Sequence, residues 1–341
     1  MAAATPQRTW TLAMSGAAMF ALGACASASA DGSGSGTNAA ADAGGEQMAA
    51  QPAPDRITTQ DAGKVTYWVM PGPRELSPAV FGTPDNPRMT LAPKVKAAKQ
   101  AVEAGKMPPS VPGLLQDLPI LVGVPEKARS TTTDGGMVLE HPTPFSDEGR
   151  IIQGKFEAKF WDNIDRDPPG KPGNTPDKAE MTATFTDPKG NDYRVVLDHV
   201  VKPPFPGYET DGGVLLNGYH HGSTGTGTPL MPQIWTIGAF WGVGEVHVNG
   251  ELRSKKRVMH LMTTETVRDN DYNLATNAEM PLRPEQWLVK GQAHHTHLIV
   301  LPIQATKKGP VFKPLKTAFT LPNGKPQPFM HIMFEQDTVV K

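Results

Sequence analysis

The chain has 341 residues, a formal net charge of −1 and 20% charged residues. This length allows one large domain or two smaller ones, and the balanced charge leaves no broad basic surface for a nucleic acid. The single cysteine excludes an intramolecular disulfide, a zinc site built from several thiolates and an iron–sulfur cluster. Glycine and proline, at 34 residues each, favour short strands joined by turns over long helices.

An apolar and small-residue segment occupies positions 10–24, after a single positive charge at Arg8. The segment is too short and too weakly apolar to span a bilayer permanently, but it is typical of the core of a signal peptide. We therefore predict that residues 1–24 are a signal peptide that is removed from the mature protein.

The residues that follow this core carry a second signal. Leu22, Gly23, Ala24 and Cys25 resemble the lipobox of bacterial lipoproteins, a resemblance limited to the first 25 residues. It implies that Cys25 is lipidated and becomes the mature N-terminus, so that the partner is a membrane reached through the lipid anchor. Because no aspartate follows Cys25, the resemblance implies the outer membrane, with the protein facing the periplasm or the cell surface. The alternative to lipidation is an ordinary signal peptide that is cleaved nearby, in which case the cysteine is there by chance.

The rest of the chain divides by composition. Residues 25–55 are mainly Ala, Gly, Ser, Asp and Gln, which predicts a flexible low-complexity tether. Residues 56–149 give mixed signals and are predicted to be an N-terminal extension packed on the main domain. Within it, apolar residues at helical spacing predict one short helix over 94–105. Residues 150–341 are predicted to form the main domain.

Strand signals in the main domain are regular. Apolar and polar residues alternate over 156–160 and 181–185, as in half-buried strands, and Asn249-Gly250 between apolar runs predicts a tight hairpin. Evenly spaced strands without intervening helices are typical of antiparallel architectures. The sequence therefore predicts an all-β fold, specifically an antiparallel β-sandwich with an irregular N-terminal extension.

Eight of the ten histidines lie between His220 and His331. In a strand, residues two apart share a face, so His260 pairs with Met262, and the same spacing pairs histidines and methionines elsewhere in this region. Imidazole binds copper, zinc and iron, and a thioether shifts the preference toward Cu⁺, whereas a blue-copper centre would need a thiolate. Copper is therefore favoured, with zinc or iron possible. The predicted metal ligands are His221, His247, His260, Met262, His295, His297, His331 and Met333.

Three hypotheses about function follow from these patterns. The favoured one is a lipid-anchored cell-envelope protein that binds a transition metal for metal handling or redox chemistry; the sequence leaves open whether it is an enzyme and favours a protein that is not. The second is a non-enzymatic interaction or structural module of the envelope, with a protein partner and with its histidines in the core. The third is a metal-dependent oxidoreductase or hydrolase that uses the same histidines around an open coordination position.

Overall fold

The structure, a computed structural model, describes residues 52–70, 72–76, 129–131, 137–143, 146–164, 175–202, 213–221, 234–274, 280–307, 309–315, 317–320 and 326–341. Its strands are β1 (Arg56–Gln60), β2 (Thr66–Val69), β3 (Gly72–Leu76), β4 (Arg129–Thr131), β5 (Met137–Thr143), β6 (Gly149–Ile152), β7 (Gly154–Trp161), β8 (Lys178–Thr186), β9 (Asp192–Val200), β10 (Val214–His220), β11 (Ile234–Val248), β12 (Glu251–Glu265), β13 (His294–Gln304), β14 (Val311–Phe312), β15 (Met330–Phe334) and β16 (Thr338–Val339). A 3-10 helix spans Pro284–Gln286. Among the described residues, no helix is long and apolar enough to cross a membrane.

Thirteen strands form one antiparallel sheet in the order β16-β1-β7-β8-β9-β11-β12-β13-β15-β2-β6, with β10 added beside β11 and β14 beside β13. The sheet is curled, because β6 and β7 are separated in sequence by Gln153 alone and yet occupy distant places on this path. A second, three-stranded sheet has the order β3-β5-β4.

The predicted all-β antiparallel fold is confirmed. The sandwich arrangement is not confirmed, since the strands of the main sheet follow one continuous curled path. The helix predicted over 94–105 lies outside the described residues, as do the signal peptide, Cys25 and nearly all of the tether. The division into an extension and a main domain stays a prediction, although β1 and β2 pair directly with β7 and β15.

The curled sheet encloses one hydrophobic core. On β7, Phe156, Ala158 and Phe160 are buried while Lys155 and Glu157 are exposed, which is the alternation expected of a strand with one face inward. Side chains from ten of the strands and from the segment after β14 meet in this core. Burial of this continuous apolar surface is the main driving force that holds the curled sheet together.

The hairpin of β11 and β12 sets the register that matters for function. Asn249 and Gly250 have φ values of 51° and 82°, the pair of positive values that a type I′ turn requires. The two strands, of 15 residues each, run side by side from this turn. Their pairing places Trp241 opposite His260 and Ala239 opposite Met262.

One part of the sheet is covered on both faces. On β12, residues 259–264 are all buried, as are 295–300 on β13 and all of β15. Met259 and Leu261 point into the main core, so His260 and Met262 point to the opposite face. There Met262 packs against Val267 and other residues in a separate apolar cluster, which is formed by Ile234, Ala239, Met262, Val267 and Leu274.

Candidate metal centre

The histidines predicted from sequence lie mainly on this second, covered face. Three neighbouring strands supply them, β12, β13 and β15, and two more lie at the end of β10 and directly after it. The buried members are His220, His221, His260, His295, His297 and His331. Because imidazoles are polar and their burial is costly without a partner, six of them in one layer require a specific set of interactions.

His260 is held in a defined orientation. Its Nδ1 lies 2.8 Å from the carbonyl oxygen of Phe240, so Nδ1–H donates to that oxygen and the proton is fixed on Nδ1. The ring stacks on Trp241, with centroids 4.3 Å apart. Its Nε2 is buried and makes no hydrogen bond. A ligating histidine is usually oriented in this way, with one nitrogen bonded to a carbonyl and the other left for the metal.

Burial also keeps this imidazole neutral. His260 is 2% exposed, and desolvation lowers its pKa to about 3 against a partial opposing effect of the Phe240 carbonyl. Desolvation and the nearby His260 lower the pKa of His220 well below the ordinary value. Both rings are therefore neutral near pH 7, which is the form that binds a metal.

His220 and His221 reach His260 because the chain changes direction between them. His220 is the last residue of β10 and is paired with Ile234, whereas His221 has a φ of 58°, in the left-handed region. Extended backbone would send the two rings to opposite faces, but the left-handed residue turns them toward the same place. Their ring centroids are 4.3 Å apart, and that of His220 lies 5.5 Å from the ring of His260.

These three histidines could hold a metal ion. Each offers one nitrogen, and the three nitrogens all lie within 4.8 Å of one another. Nitrogens bound tetrahedrally at about 2.0–2.1 Å from a metal are about 3.4 Å apart, so the three nitrogens must move closer together to bind one ion. The thioether of Met262 adjoins the cluster, with its Sδ 2.8 Å from His221 Nε2.

The histidines of β13 and β15 form a chain of hydrogen bonds beside this cluster. The backbone N–H of Val267 donates to His295 Nε2 at 3.2 Å, so His295 carries its proton on Nδ1 and donates it to Glu335 Oε2 at 2.9 Å. His297 Nε2–H then donates to His295 Nε2 at 2.8 Å, and His331 Nε2–H donates to His297 Nδ1 at 3.0 Å. Every bond in the chain thus runs toward the carboxylate of Glu335.

His247 and Met333 lie elsewhere. His247 is opposite Leu252 on β12, far along the hairpin from Trp241, and its Nε2 is 3.3 Å from Glu245. It lines a cleft of about 450 Å³ with Thr184 and Arg194. Met333 accepts a contact from the hydroxyl of Tyr272 at 3.5 Å, next to the histidine chain.

The sequence-predicted ligands therefore separate into groups. The structure brings His221, His260 and Met262 together, joins His295, His297 and His331 in the hydrogen-bonded chain, and places His247 apart. His220 belongs to the cluster but was not among the ligands predicted from the sequence. The adjacent histidines His220 and His221 were the sequence feature that could have pointed to it. The backbone turn that brings their two rings together cannot be recognised from the local sequence.

Comparison of this chain with protein-family models, with curated proteins and with solved structures finds no match.

Proposed function

We propose that this protein is a lipid-anchored cell-envelope protein that binds a transition metal, with copper favoured, at His220, His221 and His260. The observation that carries the proposal is the convergence of three buried imidazole nitrogens within 4.8 Å. A second feature supports it: His260 is locked by a carbonyl on one nitrogen and has its other nitrogen buried without a hydrogen bond. Burying a polar atom in this way is costly unless a partner is supplied.

The donor set supports copper over zinc or iron. Three imidazoles suit all of these metals, but the thioether of Met262 beside His221 adds a soft donor, which favours Cu⁺. A bound copper ion would supply one-electron redox chemistry and an affinity for soft ligands. The protein residues would set the orientation of the rings and exclude water from them.

Burial favours a binding protein over an enzyme. All three histidines are at most 4% exposed, so a metal there would be held away from solvent and from large substrates. The cleft lined by His247 lies at a different part of the sheet. Metal storage, delivery or electron transfer therefore fits this site better than hydrolysis of a bound substrate.

The proposed location rests on the N-terminal sequence. Lipidation at Cys25 would attach the protein to the outer membrane, and residues 26–55 would act as the tether between the anchor and the folded part. Such an arrangement would keep the metal site close to the envelope while leaving the curled sheet free to meet an envelope partner.

Metal analysis of the full-length protein purified from the membrane fraction tests the proposal. We expect stoichiometric copper in the unaltered protein and loss of that copper in a protein carrying His220→Gln and His260→Gln. His247→Gln is the matched control, because it removes a histidine of the same sheet that lies outside the cluster, and it should retain the metal. Absence of any stoichiometric metal after reconstitution would leave the interaction module without metal as the explanation for the buried histidines.

A further inference from the structure

Two histidines of β13 have the geometry of a chelating pair. His295 and His297 are two residues apart on one strand, so their rings lie on the same face. Their Nε2 atoms are 2.8 Å apart. Two nitrogens bound tetrahedrally to one metal at about 2.0–2.1 Å are about 3.4 Å apart, so the pair must open by about 0.6 Å to become adjacent ligands.

The surroundings of His295 match those of a ligating histidine. Its Nδ1–H donates to the carboxylate of Glu335, which is 1% exposed. A carboxylate in this position fixes the orientation of the ring and raises the basicity of the opposite nitrogen, Nε2. Of the two ring nitrogens of His295, Nε2, which faces His297, is therefore the one suited to bind a metal.

Thioethers flank the pair. The strand register places Met262 of β12 opposite His297 on one side and Met333 of β15 opposite it on the other. Residues directly opposite in an antiparallel sheet share a face, with Cβ atoms about 4.5–5.5 Å apart, which is within reach of a methionine side chain. Two imidazoles between two thioethers are a soft donor set, of the kind that selects Cu⁺.

We propose that His295 and His297, assisted by Met262 or Met333, form a second binding site for Cu⁺ on the same face of the sheet. This site is distinct from the three-histidine cluster and uses none of its imidazoles. Met262 lies between the two, because it contacts His221 Nε2 at 2.8 Å and is opposite His297. Its thioether would be the shared donor through which an ion passes from one site to the other.

Binding at the second site changes proton positions without a net loss of protons. His297 carries its proton on Nε2 in the hydrogen-bonded chain, so that proton must leave Nε2 when the metal binds there. His297 takes up a proton on Nδ1 in its place, and this Nδ1–H donates to His331 Nε2. His331 therefore gives up its proton on Nε2 and carries one on Nδ1. His295 keeps Nδ1–H on Glu335, but its Nε2 can no longer accept the backbone N–H of Val267.

Anaerobic titration of the full-length protein with Cu⁺, in competition with a chromophoric Cu⁺ chelator, tests the second site. We expect two equivalents per chain in the unaltered protein and in the control His247→Gln. His220→Gln with His260→Gln should leave one equivalent, and His295→Gln with His297→Gln should also leave one.

The outcomes separate the two sites. One equivalent in the unaltered protein, lost in the cluster variant and unchanged in the His295/His297 variant, overturns the second site and leaves the proposed function intact. One equivalent lost only in the His295/His297 variant overturns the cluster and supports the second site. If that variant does not fold, NMR of the unaltered protein decides: a second equivalent of Cu⁺ should shift His295 Nε2 and the amide of Val267, and unchanged signals overturn the proposal.

Discussion

Replacing His260 by phenylalanine should separate metal binding from stability. The phenyl ring keeps the stacking on Trp241, a contact of about 0.5–1.5 kcal/mol, and is larger than the imidazole by roughly one methylene group. It removes both nitrogens. The metal-free variant loses the hydrogen bond to the carbonyl of Phe240, about 1 kcal/mol, but it also removes Nε2, whose burial without a hydrogen bond costs about 1–3 kcal/mol. These terms nearly cancel.

We therefore expect the free energy of unfolding of the metal-free protein to change by no more than about 1–2 kcal/mol, as measured by urea denaturation. The effect of metal should be very different. With free metal at a hundred times Kd, the unaltered protein gains about 2.7 kcal/mol, which corresponds to a rise in Tm on the order of 5–10 °C. In His260→Phe most of this rise should disappear when Cu⁺ is added anaerobically.

Two results would refute this reasoning. A loss of more than about 3 kcal/mol in the metal-free variant would show that His260 is a structural core residue whose carbonyl bond is indispensable. An equal rise in Tm for both proteins would show that the metal binds elsewhere. The control His247→Gln should keep the full rise, since its ring contacts Glu245 outside the cluster.

Three further predictions concern the anchor and the fold. Cys25→Ala should abolish labelling of the protein by radioactive palmitate, and equal labelling of the variant would exclude a lipoprotein. Asp177→Ala should lower the free energy of unfolding by about 3–5 kcal/mol, because the buried carboxylate accepts hydrogen bonds from four backbone N–H groups, and Asp177→Asn should cost less in the same urea experiment. Gly244→Ala should cost about 1–3 kcal/mol, because a Cβ there would collide with the backbone oxygen of Val196, and an unchanged urea midpoint would contradict that packing.

Local patterns were sufficient to predict the type and place of several strands of the main sheet. The alternation over 156–160 reappears as β7, that over 181–185 as β8, and the Asn249-Gly250 pair as the β11–β12 turn. The curling of the sheet could not be predicted in this way. It depends on contacts between distant parts of the chain, such as the pairing of Thr58 with Val339, and no local pattern specifies such a register.

The same distinction applies to the candidate site. Spacing by two residues correctly places His295 and His297 on one face, with their rings in contact. Which histidines from different strands meet depends on register: Ile299 stands between His260 and His331 in a row across three strands, and this separates the cluster from the chain. His247 is six residues along β11 from Trp241, about 20 Å at the rise of a strand, so a shared strand does not imply a shared site.

Burial of several neutral histidines makes the metal-free protein sensitive to acid. Desolvation lowers the pKa of His220, His260 and His297, to about 3 for His260, while in the unfolded chain these imidazoles regain a pKa of about 6.5. Above pH 6.5 neither state binds these protons, and stability is unaffected. Below it the unfolded state binds them and the folded state does not, so each histidine removes up to about 1.4 kcal/mol per pH unit.

His260, whose pKa is about 3, removes about 2–3 kcal/mol of stability by pH 4.5, and His220 and His297 act in the same direction. The metal-free protein should therefore lose stability as the pH falls below about 6.5, as followed by circular dichroism at a fixed urea concentration. His220→Gln should flatten the pH dependence, because it removes one of the buried imidazoles whose pKa desolvation lowers. Bound metal should shift the unfolding to lower pH, because protons must then displace the ion as well as enter the buried rings. Stability that stays constant from pH 7 to 4 would mean that these imidazoles are already protonated and paired in the folded state, which would contradict both the desolvation argument and their role as neutral ligands.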